Sequence, residues 1–171
     1  MRLVIAEKRS VAFAIAQAWA MCGRVTDTCR PEGRSSRGRR AIWSNCLTGG
    51  IHGHAWSAHK WTMESLPIDP KSWRWRLSGA KGAAQRYRPL VELLRSDKVT
   101  ELVNACDPDR EGEAIFRRIL MASKVSKPSL RLWVASLDEQ AIRDAWNRMR
   151  PESDYDGLAA AADARAKATG W

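Results

Sequence analysis

Short apolar runs alternate with longer segments of helical periodicity along this chain. Three runs have the length and composition of buried strands: residues 2–6, 99–106 and 130–135. Five segments are helical by the spacing of their apolar residues or by their alanine content: residues 11–21, 83–96, 114–122, 138–149 and 157–168. Because strands alternate with helices, the pattern predicts an α/β fold with a mainly parallel sheet flanked by helices.

Polar and turn-forming residues mark the predicted ends of these elements. Ser10 is predicted to cap the first helix, which Gly23 would end. Ser136 is predicted to cap the helix over 138–149, and Pro151 to end it. The alternating residues 73–77, Trp-Arg-Trp-Arg-Leu, predict a further strand.

The charge balance narrows the class of protein. The 171 residues include 29 Lys and Arg against 19 Asp and Glu, a net charge of +10. Six arginines lie within residues 24–40, which are predicted to form an exposed basic loop or hairpin. Such a charge attracts a polyanion, most often a nucleic acid. No apolar run is long enough to span a membrane and the N-terminus does not have the pattern of a secretory signal, so we expect a cytoplasmic, single-domain protein with free thiols.

Four acidic residues follow the predicted strand 99–106 within seven positions: Asp107, Asp109, Glu111 and Glu113. Ligands of open α/β sheets bind at the carboxyl ends of the strands. Clustered carboxylates in a basic protein suit a hard cation such as Mg²⁺. Glu7 follows the first strand, and its carboxylate would reach the same edge if the two strands are neighbours. The alternative is purely structural, with Asp107 capping a turn and Arg110 pairing with the acids.

Together these motifs resemble the N-terminal Toprim domain of type IA DNA topoisomerases, of the topoisomerase III kind. The matching stretches, in order, are Ile5-Ala-Glu7-Lys8-x-Ser10, Gly53-His54, Asp107-Pro-Asp-Arg-Glu-Gly-Glu113, Leu132-Trp-Val-Ala-Ser136 continuing to Ile142, and Gly157 to Arg165. The resemblance implies a Toprim (Rossmann-like) domain over 1–150. Residues 151–171 would then begin a following helical segment that is truncated.

The resemblance also implies roles for single residues. The implied catalytic residues are Glu7 as general acid and then base, with Lys8 and Arg110 at the phosphate. The implied Mg²⁺ ligands are Glu7, Asp107, Asp109 and Glu111. The implied contacts to single-stranded DNA are Lys8, Arg110 and Arg165.

The implied activity is ATP-independent cleavage, passage and religation of single DNA strands. The family's nucleophilic tyrosine has no match, since Tyr87 and Tyr155 are the two tyrosines and neither lies in its motif. We therefore expect the chain to be inactive alone, with a separate fragment carrying the remaining domains as a possible partner. The alternatives are another Toprim enzyme, such as a stand-alone nuclease or a primase core, and a non-enzymatic remnant that binds single-stranded DNA. A primase would bring a zinc segment, but the cysteines form no paired motif.

Overall fold

The computed structural model of the chain describes residues 1–18, 39–43, 51–53, 75–77 and 83–169. Gly23, most of the basic segment 24–40, and Trp73 with Arg74 lie outside these residues, so the predictions made for them are not addressed by the structure.

The described elements follow the predicted alternation of strands and helices. The strands are β1 (Arg2–Ala6), β2 (Arg39–Trp43), β3 (Ile51–Gly53), β4 (Trp75–Leu77), β5 (Glu101–Asn104), β6 (Ser129–Arg131) and β7 (Arg150–Pro151). The α-helices are α1 (Arg9–Ala18), α2 (Ala83–Arg95), α3 (Arg110–Ser123), α4 (Glu139–Asn147) and α5 (Asp156–Thr169), and a 3-10 helix spans Glu152–Tyr155.

Five of the strands form one sheet in the order β2-β1-β5-β6-β7. All neighbours are parallel except β6 and β7, and β3 and β4 form a separate antiparallel pair. The prediction of an α/β fold with a mainly parallel sheet flanked by helices is confirmed. In the centre of the sheet β1 and β5 pair with Ile5 opposite Asn104, so the two strands end side by side.

Apolar side chains cover both faces of the sheet, because successive strand residues point to opposite sides. Leu3 and Ile5 of β1 belong to a cluster with residues of α2 and α3, among them Leu94 and Phe116. Val4 and its alternate neighbours pack in a second cluster with residues of α1 and α4, such as Ile142. Helices packed on both faces of the sheet therefore hold the carboxyl ends of β1 and β5 in place.

Several predicted boundaries differ from the structure. β5 and β6 are shorter than the apolar runs 99–106 and 130–135, because each run extends past the last residue that pairs with a neighbouring strand. Residues 39–40, predicted as loop, belong to β2. The end of the chain forms helix α5 close to the predicted 157–168.

Helix starts also differ from the predictions. α1 begins at Arg9, so Ser10 lies in its first turn and is not the cap. α4 is capped by Asp138, whose side chain accepts from the Ala141 N–H, while the Ser136 hydroxyl bonds to the Asp138 carboxylate. Pro151 forms β7 opposite Leu130 and does not end α4 directly.

Candidate active site

Two turns meet at the carboxyl edge of the sheet. Glu7 and Lys8 follow β1, and the acidic stretch beginning at Asp107 follows β5. The Ala105 N–H donates to the Ile5 carbonyl at 2.8 Å, so the strands stay joined up to this edge. Lys8 Nζ lies 2.5 Å from Asp107 Oδ2. The structure thus brings together three of the predicted site residues from positions about 100 apart in sequence.

The surroundings of Glu7 at this edge shift the pKa of its carboxyl. Partial burial raises the pKa of Glu7 above its ordinary value, and the negative charges of Asp107 and Asp109 raise it further. The Lys8 ammonium and a backbone hydrogen bond from Asp107 oppose this shift. Lys8 is exposed, and its hydrogen bond to Asp107 raises the pKa of its ammonium. A carboxyl with a raised pKa therefore lies beside the Lys8 ammonium.

Asp109 begins helix α3. Its Oδ1 accepts from the Gly112 N–H at 2.7 Å, and its extended backbone is that of an N-cap residue. The Asp109 N–H also donates to the Asp107 carbonyl at 2.8 Å. The structural alternative assigned a capping role to Asp107, but the capping residue is Asp109.

Gly112 allows helix α3 to approach the acidic turn. A Cβ at this position would lie 2.3 Å from the Asp107 carbonyl oxygen and 2.7 Å from its nitrogen. These are backbone atoms, which cannot rotate away. No role was predicted for Gly112 from the sequence, although a glycine inside the first turn of a helix was the available signal.

Glu111 forms ion pairs with two arginines at the start of α3. Arg165 of α5 donates to Glu111 Oε1 at 2.8 Å, and Arg110 Nε lies 3.5 Å from the same oxygen. All three side chains are about half exposed. The predicted phosphate contacts Arg110 and Arg165 therefore lie together with a predicted metal ligand, at the start of α3.

A buried polar network supports the turn from below. Asn104 Nδ2 donates to Glu113 Oε2 at 3.1 Å and to Glu152 Oε1 at 2.8 Å. Asn104 Oδ1 accepts from Arg131 at 2.7 Å. Arg117 donates to Glu113 Oε1 at 2.8 Å and to the Glu152 carbonyl at 2.7 Å. The network joins the end of β5 to the 3-10 helix that precedes α5.

Two carboxylates of this network lie close together. Burial raises the pKa of Glu152 to about 8, and its hydrogen bond to Glu113 adds to the shift, while Asn104 and Arg131 lower it. The pair holds a proton more tightly than an isolated glutamate does. The roles of Asn104, Arg131 and Glu152 were not predicted from the sequence. Polar residues inside the predicted strands 99–106 and 130–135 were the signal for Asn104 and Arg131.

The side chains of Glu7, Asp107 and Asp109 suit a hard cation, because their donor atoms are carboxylate oxygens. The negative charges of Asp107 and Asp109 also help to raise the pKa of Glu7. As placed, Asp107 is bonded to Lys8 and Asp109 to the Gly112 N–H. Within the described ranges, no three Asp, Glu, His or Cys side chains are arranged to hold a metal ion together. The Mg²⁺ ligands named from the sequence remain a prediction.

Among the described residues, the two tyrosines and Cys106 have side chains that are engaged or buried. The Tyr87 hydroxyl on α2 is buried without a hydrogen-bond partner, and burial raises its pKa. Tyr155 stacks on Trp133 with ring centroids 5.6 Å apart. Cys106 is a free, buried thiol whose pKa burial raises, so it is a poor nucleophile.

The doubly flanked parallel sheet with an acidic turn at its carboxyl edge is the architecture of a known family. The Toprim domain family matches residues 2–137, and the chain belongs to this family. The expectation from the motifs is thereby confirmed.

More particularly, the chain is similar to proteins named DNA topoisomerase 3. It is 34% identical over 173 residues to that of Shouchella clausii, covering 98% of this chain and 22% of the relative. It is 38% identical over 110 residues to that of Bacillus cereus, covering 64% of this chain and 15% of the relative. The chain thus spans about a fifth of these relatives or less.

A solved structure shares the fold. Full-length topoisomerase I of Thermotoga maritima superposes with a TM-score of 0.54 at 16% identity, over 87% of this chain and 21% of that one. None of the helices in the described residues is long and apolar enough to cross a membrane.

Proposed function

We propose that this chain supplies the Toprim part of the active site of a type IA, topoisomerase III-like enzyme that acts on single-stranded DNA. The observation that carries the proposal is the meeting of Glu7 and Lys8 with Asp107 at one edge of the sheet, where Lys8 and Asp107 lie 2.5 Å apart. Acid, cation and carboxylate are the groups that phosphodiester chemistry needs around one phosphate. The similarity to proteins named DNA topoisomerase 3 supports the same assignment.

Glu7 serves as the proton donor in this proposal. Its raised pKa keeps a larger fraction protonated near neutral pH than an ordinary glutamate would have. The proton passes to the 3′-oxygen that leaves when the DNA strand is cut. The resulting carboxylate accepts the proton back from the same hydroxyl at religation.

Three cationic side chains of the candidate site, Lys8, Arg110 and Arg165, bind the DNA backbone in this proposal. Lys8 is exposed and the Arg110 and Arg165 side chains are about half exposed, so phosphate oxygens reach all three. Mg²⁺, when bound by Asp107 and Asp109 with Glu111 nearby, would neutralise phosphate charge. Electrostatic binding of this kind favours any single strand with little regard to sequence.

The nucleophile comes from elsewhere in this proposal. The Tyr87 hydroxyl is buried and the Tyr155 ring is stacked, so neither of the two tyrosines is offered for attack on DNA. The 171 residues alone therefore do not relax DNA. The remaining topoisomerase domains, on a longer chain or a separate fragment, complete the reaction.

Calorimetric titration with Mg²⁺, in the presence and absence of a single-stranded oligonucleotide, tests the proposal. We expect weak binding that the oligonucleotide strengthens, because its phosphate completes the coordination shell. Asp107→Asn/Asp109→Asn should abolish Mg²⁺ binding, and asparagine at 109 still caps α3.

The matched control is Glu139→Gln/Asp144→Asn, which removes the same charge from the exposed surface of α4. This control should bind Mg²⁺ like the wild type. Equal Mg²⁺ affinity in both double variants would contradict the proposed site. Mg²⁺-dependent nicking without a covalent adduct would favour the nuclease alternative. Oligonucleotide binding without any Mg²⁺ effect would favour a binding remnant.

A further inference from the structure

Arg131 is a charged side chain with no solvent exposure, at the end of β6. Its NH2 group donates to the Asp107 carbonyl at 2.5 Å, and its NH1 group donates to the Cys106 carbonyl at 3.1 Å. NH1 also donates to Asn104 Oδ1 at 2.7 Å. The guanidinium therefore binds the backbone of the acidic turn from beneath, through two successive carbonyls.

The charge of Arg131 is balanced by a carboxylate that does not compete for the NH1 and NH2 donors. Its Nε lies 3.6 Å from Glu113 Oε2, and both side chains are completely buried. Burying a guanidinium is costly unless its charge is paired. Here the Glu113 carboxylate supplies the countercharge, and NH1 and NH2 donate to the turn and to Asn104, while the buried Nε–H has no hydrogen-bond partner among the described residues.

An aromatic pair covers the guanidinium. The Arg131 guanidinium carbon lies 5.1 Å from the centroid of the Trp133 ring. Tyr155 stacks on Trp133 at an interplanar angle of 13°. Trp133 is 39% exposed, so this cover is at the surface although the charge beneath it is not.

We propose that Arg131 is the positioning residue of the acidic turn, fixing the carbonyls of Cys106 and Asp107 and thereby the direction of the Asp107 and Asp109 carboxylates. The Asp107 carbonyl also accepts the Asp109 N–H at 2.8 Å, so one oxygen ties Arg131 to the start of α3. A fixed turn presents its carboxylates to a cation already oriented. The effect on Mg²⁺ rests on the proposed function above, whereas the effect on the turn does not.

Arg131→Lys separates positioning from charge, because lysine keeps the charge beside Glu113 but lacks the planar fork. The first measurement is amide hydrogen exchange of the folded, metal-free chain. We expect the Asp109 and Gly112 amides to exchange about tenfold faster, and amides of α4 to be unchanged. The second is Mg²⁺ affinity by calorimetry, which should fall about 10-fold to 100-fold.

Leu94→Ala is the control for general destabilisation, since Leu94 belongs to α2 and lies in the core cluster, not in the turn. This variant should lower thermal stability but leave Mg²⁺ affinity unchanged. The ratio of exchange rates between the turn amides and the α4 amides should also stay as in the wild type. If Arg131→Lys does not fold, Trp133→Leu serves as the second variant. It removes the aromatic ring that covers the Arg131 guanidinium and should weaken Mg²⁺ binding about threefold.

Unchanged turn exchange and unchanged Mg²⁺ affinity in folded Arg131→Lys would overturn the inference, as would unchanged turn exchange in Trp133→Leu if only that variant folds. If the turn amides exchange faster in Arg131→Lys, Arg131 is supported as the positioning residue. If the wild-type protein does not bind Mg²⁺, the proposed function is refuted, whatever the exchange result.

Discussion

Gly112→Ala tests how closely α3 is packed against the acidic turn. The added Cβ would lie 2.3 Å from the Asp107 carbonyl oxygen and 2.7 Å from the Asp107 nitrogen. Carbon makes ordinary contacts at about 3.5 Å, so the helix and the turn must separate by about 1 Å. No side-chain rotation relieves this overlap, because every atom involved belongs to the backbone.

The expected loss of stability follows from two opposing contributions. Overpacking of a tight site typically costs about 1–3 kcal/mol. Alanine in place of glycine within a helix returns at most about 1 kcal/mol. Because the turn is also held by Arg131, we expect a net loss of about 2 kcal/mol. For a chain of this size that loss lowers the melting temperature by about 4–8 °C.

Gly157→Ala is the matched control, because a Cβ at Gly157 in α5 meets nothing within 4 Å. This variant should gain up to about 1 kcal/mol and melt about 2–4 °C higher than the wild type. Thermal unfolding followed by circular dichroism measures both variants on the full chain. A Gly112→Ala variant that melts with or above the wild type would show that the contact with Asp107 does not constrain the turn.

Three further outcomes are expected. Because burial raises the pKa of Glu152 to about 8 from 4.5, its contribution to stability is complete below pH 4.5 and is lost as the pH rises to about 8. Denaturant unfolding should show a slope of up to about 1.4 kcal/mol per pH unit there, and a slope unchanged in Glu152→Gln would contradict this. Affinity for single-stranded DNA should fall with salt at about −0.7 per phosphate contact on a log–log plot, whereas a flat plot would indicate stacking. The chain with Mg²⁺ should leave supercoiled plasmid unrelaxed, and a topoisomer ladder with DNA-linked protein that Glu7→Gln abolishes would refute this.

The order and type of the elements could be predicted because each is specified locally. Hydrophobic periodicity predicted α2, and alanine content predicted α5, nearly to their ends. Strand lengths were overestimated because apolar character continues past the ladder: Ala105 and Cys106 are buried but lie beyond β5. Hydropathy reports burial, whereas a strand ends where its hydrogen-bonded neighbour ends.

The acidic residues at the carboxyl edge of the sheet could be predicted from the ends of the strands. The buried polar network beneath them could not. Asn104 and Arg131 lie 27 positions apart, and Asn104 and Glu152 lie 48 apart. In sequence, Asn104 and Arg131 are polar residues within predicted strands that are otherwise largely apolar. Their partners are distant along the chain, so only the three-dimensional fold shows that they satisfy one another. The capping role of Asp109 was missed for a different reason, since either aspartate could begin the helix.

The pairing of β1 with β5 also determines when the candidate site can exist during folding. Lys8 and Asp107 are 99 residues apart, so their contact requires closure of a loop more than half as long as the chain. Contacts of such high sequence separation slow folding, because chain entropy is lost before the contact forms. A ligand that needs both turns binds only chains in which the central strands have paired. Its occupancy would therefore report completion of the sheet, and its binding energy would add to the stability of the folded state alone.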